Sequence, residues 1–477
     1  MIKFGRQKMQ SHKRLNFMSA ALGVLLLLCI QSVSFGSTNQ VDLKIDHALI
    51  VTMDAGMTIV EDGSVVIDHG EIVAVGPSTI LKKRYNAIRS INAAGKLVMP
   101  GLVNTHTHAA MTLFRGLADD LPLDAWLTKH IWPAEAKFIT AESVRSGANL
   151  ALAEMVRSGT TTFSDMYFYA DELAMAANKA GVRAVVGEAI IDFPTADSQS
   201  PAESFATIKE LAAKWKNDPL ITISVAPHSP YTCSSETLKS AKKLADDLGL
   251  PLTIHVSETQ KEVSDITKQY GMPPFEYLDS LGFFGGTVIA AHAVYPTSSE
   301  IMLMAKKKIG VAHCAVSNMK LASGVAPIQE MFNAGVAVGL GTDGAASNNN
   351  LSMFKEMNTA TLLQKVSRLE PTAMSARETV KAATIGGAQV LGLDNLIGSL
   401  ETGKRADLII IDLNSPHLIP LYNVYSQLVY ATNGADVETV IIDGNVVMQD
   451  RKLLTLDEEV VMQEARKLAL KIAEGEE

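Results

Sequence analysis

Between residues 97 and 342 the chain alternates short apolar runs with longer stretches of helical period, the pattern of repeated βα units. Eight of the apolar runs read as strands: 97–104, 160–165, 182–188, 221–227, 252–256, 287–291, 310–312 and 336–342. Eight such units in series are what a closed parallel barrel requires. The predicted fold class is therefore α/β, a (β/α)8 TIM-like barrel. The flanks have another texture. From 41 to 96, "ALIVTMD", "GSVVIDHGEIVAVG" and "INAAGKLVMPG" are β-rich runs punctuated by Gly63, Gly70 and Gly95, as hairpins are. The same texture returns in "GSLETGKRADLIIIDL" and "VETVIIDGNVVMQD". These segments predict a small β-sandwich built from both chain ends, followed by an amphipathic helix over 456–474.

The first residues stand apart from both patterns. Lys3, Arg6, Lys8, Lys13 and Arg14 precede an apolar run over 17–30, and small residues follow at Ser34-Phe35-Gly36. Basic, then apolar, then small is the form of a signal peptide, and the run is short for a membrane span. The predicted organisation is a leader over 1–36, the first part of the sandwich over 37–96, the barrel over 97–395, and the rest of the sandwich with its helix over 396–477. Periplasmic or secreted location follows if the leader is used, and cytoplasmic location if it is not; no stable membrane anchor is expected after its removal.

Composition narrows the partners. Hydrophobic residues make up 47% and the net charge is −9, so a large core is available and a phosphate-binding basic surface is not. Loss of the leader would take five positive charges with it, leaving about −14. A small-molecule ligand is expected, with no nucleic acid and with a homo-oligomer left open. Beyond the leader only Cys233 and Cys314 remain, and no spacing suggests a disulfide framework.

The candidate chemistry lies at the predicted strand ends. Of eleven histidines, six fall at or just after such an end: His106, His108, His228, His255, His292 and His313. Barrel enzymes carry their chemistry there. His106 and His108 are two residues apart on a strand, so both rings can face one ion. HxH alone is a weak signal. With His255 ending the fifth strand and Asp343 the eighth, three imidazoles and a carboxylate make a plausible site for one divalent ion, zinc first, with Fe2+ or Mn2+ as alternatives. A water beside such an ion becomes a nucleophile.

At these residues the chain resembles the amidohydrolase superfamily, in the branch of S-adenosylhomocysteine and 5'-methylthioadenosine deaminases. The matching stretches are "MPGLVNTHTHAAMTLFRGLADDLPLDAWL", "APHSPYTCS", "TIHVSET", "AAHAVY", "SNMKLASGVAPI" and "GLGTDGAASNNNLSMFKEM". The resemblance implies a metal-dependent aminohydrolase that converts an adenosine-type nucleoside to its inosine analogue and ammonia. It gives His106, His108, His255 and Asp343 the metal, and gives Asp343 the proton of the attacking water. Glu258 would protonate the ring nitrogen, His292 would hold the attacking oxygen, and His228 would contact substrate. Trp126 and Glu135 match positions that pack near the substrate and bind ribose hydroxyls; the alternative for Trp126 is an anchor for the loop after the first strand. His313 reads equally as packing or as substrate contact, and Asp165 reads as structural.

Two departures bear on the substrate. Members that recognise a homocysteine tail carry arginine at the end of the third strand and again shortly after it. Here that strand ends "VVGEAIIDF", with Glu188 in the place of arginine, and no arginine occurs from Ala184 through His228. A carboxylate-bearing substrate would lose its bidentate partner, and Glu188 would favour a neutral or cationic substituent. "HCAVSN" also departs from the more usual asparagine-proline. Competing readings are a hydrolase displacing another leaving group, such as a halide on a triazine or a cyclic amide, and a non-catalytic binding protein on a degenerate barrel.

Overall fold

The computed structural model describes residues 38–475, so the leader read at 1–36 lies outside the described residues. Eight parallel strands form one sheet in strict sequence order: β1 (Leu102–Thr107), β2 (Thr160–Tyr167), β3 (Arg183–Ile190), β4 (Ile221–Pro227), β5 (Leu252–Val256), β6 (Val288–His292), β7 (Gly310–His313) and β8 (Ala337–Leu340). The ring closes between its first and last strands. The Thr105 hydroxyl donates to the Leu340 carbonyl (2.9 Å), the Asn104 amide to the Thr342 hydroxyl (2.7 Å), and the Asp343 N–H to the His106 carbonyl (2.9 Å).

The strands are buried almost without interruption; all five residues of β5 and all eight of β3 are inaccessible to water. That is why they read as continuous apolar runs rather than alternating ones: helices cover the outside and side chains fill the inside. Local chemistry sets the helices between them. Ser234 accepts the Thr237 N–H ahead of the helix Ser235–Leu248, which Gly249 ends at φ +66°. Thr297 and Glu300 cap each other's backbone N–H at the start of Ser298–Lys307.

The run read as one strand over 97–104 is two. Lys96–Pro100 belongs to the second sheet and β1 begins at Leu102. The break is Gly101, where a Cβ would stand 2.0 Å from the Thr161 hydroxyl, so only glycine lets the chain pass between the sheets. Gly63 also differs from expectation. It lies inside the strand Ile59–Asp68 rather than at a turn, and Ile50 occupies the space a side chain would need, at 2.4 Å.

The second sheet has nine strands, mostly antiparallel, from both ends of the chain. Its seam is the antiparallel pair of Lys96–Pro100 with Leu408–Asp412. Leu408 and Ile410 point into this sheet's own core, among Ile45, Ile50 and Ile67, while Ile409 and Ile411 join the core of the barrel. One strand thus buries both faces, and "LIIID" shows no alternation. A buried ion pair reinforces the junction. The Arg183 guanidinium, at the start of β3, donates to both oxygens of Asp407 (2.7 and 3.1 Å), to Asp443 (3.2 Å) and to the Pro219 carbonyl (2.6 Å). The last helix, Glu458–Glu474, starts at an Asp457 cap. Among the described residues no helix is long and apolar enough to cross a membrane.

Candidate metal centre and cavity

Six side chains singled out at the strand ends meet at one end of the barrel. His255 Nε2 stands 3.1 Å from His106 Nε2 and 3.3 Å from His108 Nε2. Asp343 Oδ1 is 3.5 Å from His106 Nε2 and 3.2 Å from His108 Nε2. Opposite these, His292 Nε2 faces Glu258 Oε2 at 3.7 Å.

The outer nitrogens explain why the inner ones matter. His108 Nδ1 sits 2.6 Å from the Met166 carbonyl and His255 Nδ1 2.9 Å from the His228 carbonyl. A carbonyl only accepts, so each Nδ1 carries a proton, and each ring in its neutral form turns a bare Nε2 lone pair inward. His255 Nε2 thus stands within 3.3 Å of two other ring nitrogens, and bare acceptors this close repel unless a cation lies between them. Tetrahedral bonds of about 2.0–2.1 Å would set ligand atoms roughly 3.3 Å apart, close to the spacing here. Two overlapping clusters, His106–His108–His255 and His106–His292–Asp343, each bring three potential ligand atoms within 4.8 Å of one another.

Neighbouring groups hold these rings and the carboxylate in place. Asp165, buried at the end of β2, accepts the Thr107 hydroxyl (2.7 Å) and the Ala109 N–H (2.5 Å), locking the turn that carries His108; its role is structural, as read. Asp343 Oδ2 accepts the hydroxyls of Ser317 (2.6 Å) and Ser347 (2.9 Å), which leaves Oδ1 toward the histidines. His292 Nδ1 pairs with the Asn318 side-chain oxygen at 2.9 Å. Glu262 accepts the N–H groups of both Ser257 and Glu258 at 2.7 Å, fixing the turn that aims Glu258. Ser257, His292 and Asp343 all adopt left-handed backbone, with φ of 54°, 72° and 60°. Each such residue costs about 1–3 kcal/mol, and such strain gathers at sites.

Electrostatics follow from the burial. Desolvation pushes the Glu258 carboxyl up, against the pull of His292. Burial also works to raise Asp343, but the imidazoles of His106 and His108 beside it outweigh burial and hold the carboxyl well below its usual range. A carboxyl that burial makes a weaker acid beside one held ionised is the division of labour that acid and base catalysis needs.

The cavity above this floor is lined by Trp126, Glu135, Tyr167, His228, Tyr231 and Leu321, together with Glu258, His292 and Asp343. Trp126 lines the cavity, and its Nε1–H donates to the Ala118 carbonyl at 3.1 Å, anchoring the loop. Glu135 accepts the Tyr167 hydroxyl at 2.7 Å, and burial pushes its carboxyl up to about 7. His313 lies outside the lining, buried beside His292, so packing is its place.

Glu188 corrects the sequence reading. It is 1% exposed, does not line the cavity, and accepts the Ala170 N–H at 3.0 Å with Asp197 beside it. Strand alternation is the reason: its neighbours Ala189 and Ile191 face the cavity and Glu188 faces away. The supporting groups Ser317, Asn318, Ser347, Glu262 and Tyr167 received no role from sequence. "SNMKLASG" and "GAASN" matched the family pattern, yet a serine or asparagine carries no signal of its own until its partner is placed.

The comparisons agree with this geometry. The Amidohydrolase family model matches residues 97–447. A 5-methylthioadenosine/S-adenosylhomocysteine deaminase of Thermodesulfovibrio yellowstonii is 46% identical over 87% of this chain and 95% of its own. A 5'-deoxyadenosine deaminase of Methanosarcina mazei is 46% identical over 90% of this chain and 98% of its own. Among solved structures, an adenosine deaminase from Xanthomonas campestris with bound zinc superposes with a TM-score of 0.90 at 43% identity, over 92% of this chain and all of that one. The chain belongs to the amidohydrolase family.

Proposed function

We propose that the protein is a zinc-dependent aminohydrolase of adenosine-type nucleosides, releasing ammonia and leaving the inosine analogue. The observation that carries this reading is the meeting of three inward Nε2 atoms and Asp343 with the Glu258–His292 pair at 3.7 Å inside one cavity. Iron or manganese would suit the same donors less distinctively. The bound ion would acidify a water and supply the charge that makes it a nucleophile at neutral pH.

The residues divide the remaining work. Asp343, held ionised, takes the proton of the attacking water and delivers it to the departing amine. Glu258, made a weaker acid by burial, donates to the ring nitrogen beside the attacked carbon, so that the ring can accept the incoming electron pair. His292, steadied by Asn318 at 2.9 Å, hydrogen-bonds the attacking oxygen. His228 contacts the base, Trp126 walls it, and Glu135 receives the ribose hydroxyls. Export through the basic-then-apolar leader belongs to the same proposal, and the N-terminal sequence of the mature protein tests it.

Ammonia release by zinc-loaded protein from adenosine, 5'-methylthioadenosine and 5'-deoxyadenosine tests the activity. Glu258→Gln should keep its metal while turnover falls by about 10²–10⁴-fold, because the amide keeps the shape and cannot donate and retake a proton. Turnover near wild type would show that Glu258 is not the proton donor. Silence toward every nucleoside, with metal bound, would move the reading to another leaving group.

A further inference from the structure

We infer that the cavity accepts nucleosides with an uncharged 5' substituent and discriminates against those whose 5' tail ends in a carboxylate. This rests on the nucleoside reading above and adds the substrate class within it. Among the described residues that line the cavity there is no lysine or arginine, while Glu135, Glu258 and Asp343 all present carboxyl groups. The centre formed by His106, His108, His255 and Asp343 is where the ion and the reacting ring must sit, so it offers a tail nothing. Trp132, Phe168, Ala189 and Ile191 give the remaining wall an apolar stretch, beside the polar groups of Tyr167, His228, Tyr231 and Ser347. The Phe193 ring packs edge-on against Trp132, with centroids 5.4 Å apart.

A tail long enough to leave the cavity meets the same sign of charge. A second hollow shares Leu123, Leu127, Trp132, Tyr231 and Leu321 with the first, and Asp124, Glu262 and Asp265 line it. Its one cation, Lys261, already bridges Asp265 at 2.6 Å and stands largely in solvent. A carboxylate drawn into either space gives up water without gaining an unengaged cation, and that cost falls on the charged substrate alone. A short thioether or methyl group meets only compatible surface.

Zinc-loaded full-length protein should be assayed on 5'-methylthioadenosine, 5'-butylthioadenosine and S-adenosylhomocysteine; the second has a neutral tail about as long as that of the third. The two neutral thioethers should agree in kcat/KM within about tenfold, and the acid should fall about a hundredfold below them. Turnover of S-adenosylhomocysteine within threefold of the butyl thioether overturns the inference. A joint fall of the two long tails also overturns it, because length and not charge would then select. Lys261→Gln should leave all three ratios unchanged; a selective loss on the acid would show the tail reaching Lys261 and refute the discrimination. No ammonia from any of the three, with zinc retained, would instead bring down the nucleoside reading on which the inference stands.

Discussion

The two ends of the barrel both bury charge, and they do so in opposite ways. At the end where β3 begins, every donor has its acceptor: Arg183 meets Asp407 through two hydrogen bonds, with Asp443 and the Pro219 carbonyl taking further N–H groups. At the other end like groups converge. Two imidazole nitrogens stand within 3.3 Å of a third, that of His255, and the carboxyls of Glu258 and Asp343 share the same cavity. The first cluster is complete within the protein; the second is completed only by something from outside. Buried polar groups are ordinarily satisfied, so the cluster that cannot satisfy itself marks the site, and the self-satisfied one marks the joint between sheet and barrel.

That contrast breaks most sharply at Asp343. Asp343→Asn leaves the hydrogen bonds of Ser317 and Ser347 a possible acceptor but removes the charge facing His106 and His108. Turnover should fall by about 10³-fold or more, and metal content per chain, read by elemental analysis after dialysis, should fall with it. Full metal occupancy and unchanged turnover would remove Asp343 from the centre. The mirror-image change is Asp407→Asn. It leaves the Arg183 charge buried without its ionised partner and should cost about 3 kcal/mol of stability, seen in urea unfolding. kcat/KM per folded molecule should stay within about twofold. A variant that lost activity while folded and metal-loaded would show the two ends to be coupled.

The same contrast explains what could be read in advance. Strand order and the clustering of strand-end residues were legible because both rest on single residue types at fixed periods: apolar runs for the barrel, and His106, His108, His255 and Asp343 at its strand ends. The boundary at Gly101 was not, since the run of apolar residues continues through it and only the Thr161 side chain, close by in space, requires the break. Glu188 was misplaced because a strand end gives a residue's position without its direction, and one step of alternation carries the side chain from cavity to outer face. Ser317, Asn318 and Ser347 acquire meaning only through partners up to 26 residues away in sequence.

The smallest expected effect concerns the boundary between the mouth and the core. His313 ends β7 as His292 ends β6, yet it is fully buried and outside the cavity, and burial pushes its imidazole down to about 3. Its folded pKa is thus below the unfolded value of about 6.5. Protons bind the unfolded chain first, so the stability that neutral His313 contributes is intact above pH 6.5 and drains away as pH falls toward 3. Between pH 6.5 and 5 the loss amounts to about 2 kcal/mol. Urea unfolding of wild type and His313→Gln at both pH values isolates this residue from the other buried histidines. The variant should lose less stability on acidification, by about that amount, whatever its stability at neutral pH. An equal acid sensitivity in both proteins would mean that His313 takes up its proton in the folded state as readily as in the unfolded one. It would then belong with the adaptable groups of the mouth rather than with the packed interior behind them.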